Sequence, residues 1–299
     1  AGKKLPSWRA SQNRFSVALP TWDTVAIVGV GLIGGSLGLA LRQRKLAARV
    51  VGIGRREVSL QVARSLGAAD EVTTDLAEGV RDANLVVVCT PVGRIAADVI
   101  AAAAAAPPDA VITDAGSVKQ SILQQVAAGP GDSAQFVGSH PLAGSEKSGP
   151  QHASGDLFCD RPVIVTPSAA TPTERVQQVS SLWTAVGGRV TVMSAAEHDQ
   201  ILAATSHVPH LAASALAAGI PAAWWPFSAG GLRDTTRIAA GDPELWQQIV
   251  LANRTAILEH FAQLEHDLAE VRTAIESADT ARLVALLALG KERRDALGN

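Results

Sequence analysis

Three short segments carry side chains that chemistry could use. The first, Asp114-Ala115-Gly116-Ser117-Val118-Lys119, puts a carboxylate, a hydroxyl and an ammonium within a few residues of one another. The second, Gly138-Ser139-His140-Pro141-Leu142-Ala143-Gly144-Ser145-Glu146, sets a histidine among Gly, Pro and Ser. Such surroundings are not those of a core histidine, and an imidazole titrates near neutrality, so it can exchange a proton under ordinary conditions. The third, Gly230-Gly231-Leu232-Arg233-Asp234-Thr235-Thr236-Arg237, offers two guanidiniums and a carboxylate beside paired glycines. His207 and His210 form a His-x-x-His pair, but no nearby carboxylate or thiol completes a ligand set. No metal site is expected.

A fourth segment binds rather than reacts. Gly29-Val30-Gly31-Leu32-Ile33-Gly34 follows an apolar β-branched run and opens a helix-like stretch. In that context Gly29 permits a tight turn, Gly31 admits a pyrophosphate close to the backbone, and Gly34 lets helix and strand pack closely. Leu32 and Ile33 lie in the turn, and Thr90 and Pro91 at the end of a later strand join the expected cofactor set. Where an NAD site usually places an acid at the end of the second strand, this chain has Gly54, followed by Arg55 and Arg56. Two guanidiniums there suit a 2′-phosphate, so NADP is expected ahead of NAD.

Positioning these groups requires a sheet. Short β-branched runs at 25–30, 50–53, 85–90, 111–114, 136–139, 163–166 and 190–193 alternate with helical spacing at 35–45, 58–66, 95–105, 118–127 and 173–186. Runs that are apolar on both faces and separated by helices predict a mostly parallel, doubly covered sheet of the Rossmann type over residues 23–194. From 195 the pattern becomes helical, at 195–216, 244–277 and 280–297, giving an all-α second domain over 195–299. Its apolar faces are too long for one chain to bury, so a homodimer through this domain is expected.

Composition narrows the class. A net charge of −2 gives no electrostatic case for nucleic acid or an anionic membrane. No charge-free apolar run reaches the ~20 residues that span a bilayer. The two cysteines, Cys89 and Cys159, lack disulfide-scaffold or zinc spacing, which fits a reducing cytoplasmic setting. Residues 1–22 carry Lys3, Lys4, Arg9 and Arg14 with no acid before Asp23. A transit peptide shares that bias, but the reading adopted is a flexible basic arm.

The motifs GVGLIGGS at 29–36, TDAGSVK at 113–119, GSHPLAGSEKSG at 138–149, ATSHVPH at 204–210 and GGLRDTTRIA at 230–239 together resemble the prephenate/arogenate dehydrogenases of tyrosine biosynthesis. That resemblance implies NAD(P)-dependent oxidative decarboxylation of prephenate to 4-hydroxyphenylpyruvate, or of arogenate to tyrosine. It implies that His140 is the base for the ring hydroxyl and that Ser117 hydrogen-bonds the same hydroxyl. It further implies that Arg237 clamps the ring carboxylate and that His207 lies close to substrate and nicotinamide. Glu146, Lys147 and Asp234 are implied as gate or polar-network residues, with Trp246 beside the pocket. Other two-domain Rossmann enzymes, such as 3-hydroxyacid dehydrogenases or imine reductases, lack the Gly-Ser-His-Pro segment. The hydroxyacid type also relies on a lysine in the helical domain, and residues 195–216 and 244–277 contain none. A non-catalytic NADP(H) sensor would give no reason for Ser117, His140 and Arg237 to occur together.

Overall fold

The computed structural model describes residues 21–130, 133–145 and 147–298; Glu146 and residues 1–20 of the expected arm lie outside the described residues. Eight strands form one sheet: β1 (Trp22–Val28), β2 (Ala47–Ile53), β3 (Glu71–Thr73), β4 (Leu85–Val88), β5 (Val111–Asp114), β6 (Phe136–Pro141), β7 (Pro162–Thr166) and β8 (Arg189–Val192). Their order is β3-β2-β1-β4-β5-β6-β7-β8, parallel except where β7 runs against β6. Six helices cross between strands: α1 (Leu32–Gln43), α2 (Glu57–Ser65), α3 (Leu76–Val80), α4 (Val92–Ala105), α5 (Gln120–Ala128) and α6 (Thr173–Ala185).

Alternation divides the core. Val25, Ile27, Leu85 and Val87 face one layer with Leu37, Leu41 and Trp183, while Ala26, Val28, Val86 and Val88 face the other with Ile95, Val99 and Phe136. Strands that are apolar on both faces can only lie between two helix layers, as their composition demanded. Because β2 and β4 leave β1 on opposite sides, the carboxyl end of β1 is the switch point where this topology opens a crevice.

The remaining helices are α7 (Ala195–Leu202), α8 (Val208–Ala218), α9 (Gly230–Thr236), α10 (Pro243–Ala252), α11 (Arg254–Glu276) and α12 (Thr280–Ala296). Two helices expected to be continuous are interrupted. A π-helical segment, Ala203–His207, separates α7 from α8, and Asn253 breaks the second expected stretch, 244–277, between α10 and α11. Both breaks serve polar contacts, for Asn253 donates to the carbonyl of Asp199 and its amide lies 3.1 Å from His207 Nδ1. Residues 195–218 are long and apolar enough to cross a membrane by length and composition. Their buried His198, Asp199 and His207 nevertheless make polar contacts inside the molecule.

Further differences lie at strand ends. β3 and α3 were not anticipated; a three-residue edge strand is too short to show a period. β1 starts at Trp22, earlier than expected, because Trp22 pairs with Ala47. The strand expected at 136–139 runs on through His140 and Pro141, since β7 pairs with every residue from Gly138 to Pro141.

Candidate active site

The glycine turn has the geometry its sequence called for. Gly29 adopts φ +96°, and a Cβ there would stand 2.9 Å from the Cys89 backbone. A Cβ on Gly34 would sit 2.1 Å from the Gly29 carbonyl oxygen, so only glycine allows α1 to start so close to β1. A Cβ on Gly31 would meet nothing within 4 Å, because this residue opens onto a cavity of about 650 Å³. The fit to a dinucleotide rests on that bare backbone at a helix N-terminus with no acid in its first turn. Leu32, Ile33, Thr90 and Pro91 line the same cavity. So do Arg55 and Arg56, both exposed just beyond β2. A side chain at Gly54 would press on Leu60 at 3.3 Å.

Ser117, His140, Pro141 and Lys147 line the cavity as well. The ends of β5 and β6 hold the first two in place. Asp114 accepts hydrogen bonds from the backbone N–H of Gly116 at 2.9 Å and of Ser139 at 3.0 Å. It also pairs with Lys119, whose ammonium donates to the Ser139 carbonyl at 2.8 Å. Lys119 and Asp114 are wholly buried, so this ion pair latches the Ser117 turn to the strand that carries His140. Burial pushes the Lys119 ammonium down against the pull of Asp114. Trp183 donates from its indole to Ser139 Oγ at 2.8 Å and fixes the strand from behind.

His140 is buried apart from its cavity edge. Burial pushes its pKa well below the ordinary 6.5, and the neighbouring His198, Lys119 and His207 act in the same direction. A neutral imidazole facing the cavity can accept a proton. Its Nδ1 lies 2.9 Å from His198 Nε2, and His198 Nδ1 lies 2.8 Å from Asp199 Oδ1. Asp199 also accepts the backbone N–H groups of Lys119 at 2.8 Å and Gln120 at 2.9 Å, the free donors at the start of α5. The first helix after the sheet is thereby bonded to the turn that carries Ser117.

His198, Asp199, Asp114, Lys119 and Asn253 were given no role from sequence. One signal was present: His198-Asp199 is a base beside a carboxylate, just inside a helix that begins Ser194-x-x-Glu197. The remaining expected residues lie on the helical side. His207 is buried, edge-on to Trp246 with ring centroids 6.1 Å apart, and burial lowers its pKa to about 4. His210 stacks on Trp246, with ring centroids 3.4 Å apart. Asp234 on α9 and Arg237, which opens the short 3-10 turn Arg237–Ala240, are exposed and do not line the cavity. The structure thus gathers the expected cofactor residues with Ser117 and His140. It keeps His207 behind that group and leaves Arg237 and Asp234 at the surface.

Comparison with known proteins agrees with this geometry. Residues 37–192 match the model of the prephenate dehydrogenase nucleotide-binding domain, and residues 194–289 match that of the prephenate dehydrogenase dimerization domain. The chain is 39% identical over 263 residues to a cyclohexadienyl dehydrogenase of Zymomonas mobilis, covering 85% of this chain and 89% of that one. It is 33% identical over 282 residues to a prephenate dehydrogenase of Bacillus subtilis, covering 92% of this chain and 76% of the relative. Its fold superposes with a TM-score of 0.86 and 30% identity on prephenate dehydrogenase from A. aeolicus, solved with hydroxyphenyl propionate and NAD+, over 95% of this chain and 100% of that one. A nicotinamide-binding sheet domain, a serine and a histidine on one cavity wall and matches over both halves lead to one conclusion: this chain belongs to the prephenate/arogenate dehydrogenase family.

Proposed function

We propose that the chain oxidises prephenate to 4-hydroxyphenylpyruvate and carbon dioxide, with NADP as its preferred cofactor. The observation that carries this reading is the placement of Ser117 and neutral His140 on the wall of the cavity that also contains the glycine turn. In this reading Ser117 hydrogen-bonds the ring 4-hydroxyl and aims its proton at His140, which accepts it. A nicotinamide held by the glycine turn would supply the hydride acceptor for the same ring carbon. The electrons of the bond to the ring carboxylate then flow into the ring, which becomes aromatic as carbon dioxide leaves. Until that moment the carboxylate needs a cation, and the proposed clamp is Arg237, which stands exposed outside the cavity wall in the single chain. Its guanidinium makes no hydrogen bond or ion pair among the described residues and can offer both arms of its fork.

Support for NADP comes from Gly54, Arg55 and Arg56, which leave no carboxylate to repel a 2′-phosphate and two cations to meet it. Support for a homodimer comes from the helical half. Leu251, Leu258, Leu268, Ile275, Val284 and Leu287 are each about 57–62% exposed in one chain, and α12 buries no residue at all. Covering such side chains is worth about 1 kcal/mol or more apiece.

Steady-state kinetics with prephenate and L-arogenate, each with NADP and NAD, tests the reading. The highest kcat/KM is expected for prephenate with NADP. A faster reaction with L-arogenate would reassign the substrate, and no reduction with either compound would overturn the function.

A further inference from the structure

A histidine base works only if the correct ring nitrogen carries the lone pair. Two groups that line up behind His140 determine which one that is. Asp199 can only accept, so the 2.8 Å contact with His198 requires a proton on His198 Nδ1. Burial lowers the pKa of His198 as well, so its ring is neutral and its Nε2 has no proton. That nitrogen must accept, and the 2.9 Å contact then places a proton on His140 Nδ1. In neutral His140 the lone pair is left on Nε2, the nitrogen free to meet a proton in the cavity. Asp199 is itself fixed by the two N–H groups at the start of α5, beside the Ser117 turn.

We propose that His198 and Asp199 are positioning residues that hold His140 in its Nδ1–H tautomer, so that Nε2 is the catalytic base. This rests on the reading of His140 as base given above. Lys119 and Asp114, the charged groups nearest the chain of histidines, are locked to each other and to Ser139, and neither bonds to an imidazole. Orientation therefore falls to the single path from Asp199 through His198. A base held in the wrong tautomer presents N–H to the hydroxyl it should deprotonate, and turnover falls without loss of binding. When Nε2 takes the substrate proton, His140 becomes an imidazolium whose Nδ1–H still points at His198, with the Asp199 carboxylate behind it.

Two substitutions and one spectrum test this. His198→Phe keeps an aromatic ring but removes the acceptor; His198→Gln supplies an amide oxygen near the position of Nε2. For His198→Phe, kcat should fall ~10²-fold or more, with KM for prephenate and NADP within about threefold of the unmodified enzyme. His198→Gln should recover kcat to within about tenfold of the unmodified enzyme, which a purely structural role for His198 would not require. In the unmodified protein labelled with ¹⁵N-histidine, two-bond ¹H–¹⁵N correlations should show His140 protonated at Nδ1 and bare at Nε2. The His140 signals are assigned by their absence in His140→Asn. A proton on Nε2 of His140, an undiminished kcat in His198→Phe, or equal losses in the Phe and Gln variants would each overturn the proposal. Near-normal turnover in His140→Asn would instead remove the reading on which the proposal rests, so the two failures are distinct.

Discussion

Acidification separates the chemistry of this protein from its stability. Burial holds His140 and His207 neutral in the folded chain, with pKa values pushed well below 6.5 and to about 4, respectively. Unfolding exposes both and returns them to about 6.5. Below that pH the unfolded chain binds protons that the folded chain does not, so stability falls as pH falls, down to the folded pKa of each group. Between pH 7.5 and 5.5, each histidine that stays neutral in the fold costs about 1.4 kcal/mol. The pair costs about 3 kcal/mol, and His198, shifted in the same direction, adds to it. With a urea dependence of about 3 kcal/mol per molar, the unfolding midpoint should drop by about 1 M at fixed protein concentration. His207→Asn should reduce the drop by about 1.4 kcal/mol. The catalytic effect goes the other way. A histidine with ordinary pKa would lose roughly tenfold in neutral form for each unit below 6.5, whereas kcat/KM of the still-folded enzyme should stay nearly flat from pH 7.5 to 5.5. A midpoint that does not fall on acidification, or a kcat/KM profile that turns over near 6.5, would refute the reasoning.

Three further outcomes follow from the cavity and the exposed helices. Arg55→Ala should bring NADP and NAD towards parity from a ~10–100-fold preference, the equivalent of one exposed charge-assisted contact of roughly 1.5–3 kcal/mol, with little change in NAD kinetics; kcat/KM favouring NAD in the unmodified enzyme would refute it. Arg237→Gln should raise KM for prephenate steeply while NADP affinity is kept, and Arg237→Lys should not fully rescue it because a point charge lacks the fork; an unchanged KM would remove the clamp. Light scattering at micromolar concentration should give twice the chain mass, and a monomer would contradict burial of the α10, α11 and α12 apolar faces between two copies.

The parts legible in the sequence are those set by short-range patterns. Seven of the eight strands were visible as short β-branched runs, the central ones apolar on both faces, and the cofactor turn because Gly29, Gly31 and Gly34 stand at the end of one of them. His140 was found through its neighbours, although the strand expected there stopped at 139. Its place inside β6 depends on pairing with β7, a long-range contact with no local signature. The residues behind it were not legible for the same reason. His198 lies 58 positions from His140, and Lys119 and Asp199 lie 80 apart, so nothing short of the fold brings them together. The two helix breaks were missed because the apolar period continues through them. What interrupts the helices is the set of polar contacts joining Asn253, His207 and Asp199.

The central claim, that this cavity oxidises prephenate with His140 as its base, is tested most directly by prephenate-dependent NADP reduction in the unmodified enzyme and in His140→Asn. The unmodified enzyme should form reduced cofactor and 4-hydroxyphenylpyruvate in equal amounts. The variant should bind NADP as well but turn over ~10²–10⁴-fold more slowly. No prephenate-dependent reduction by the unmodified enzyme, or near-normal turnover by the variant, would contradict it.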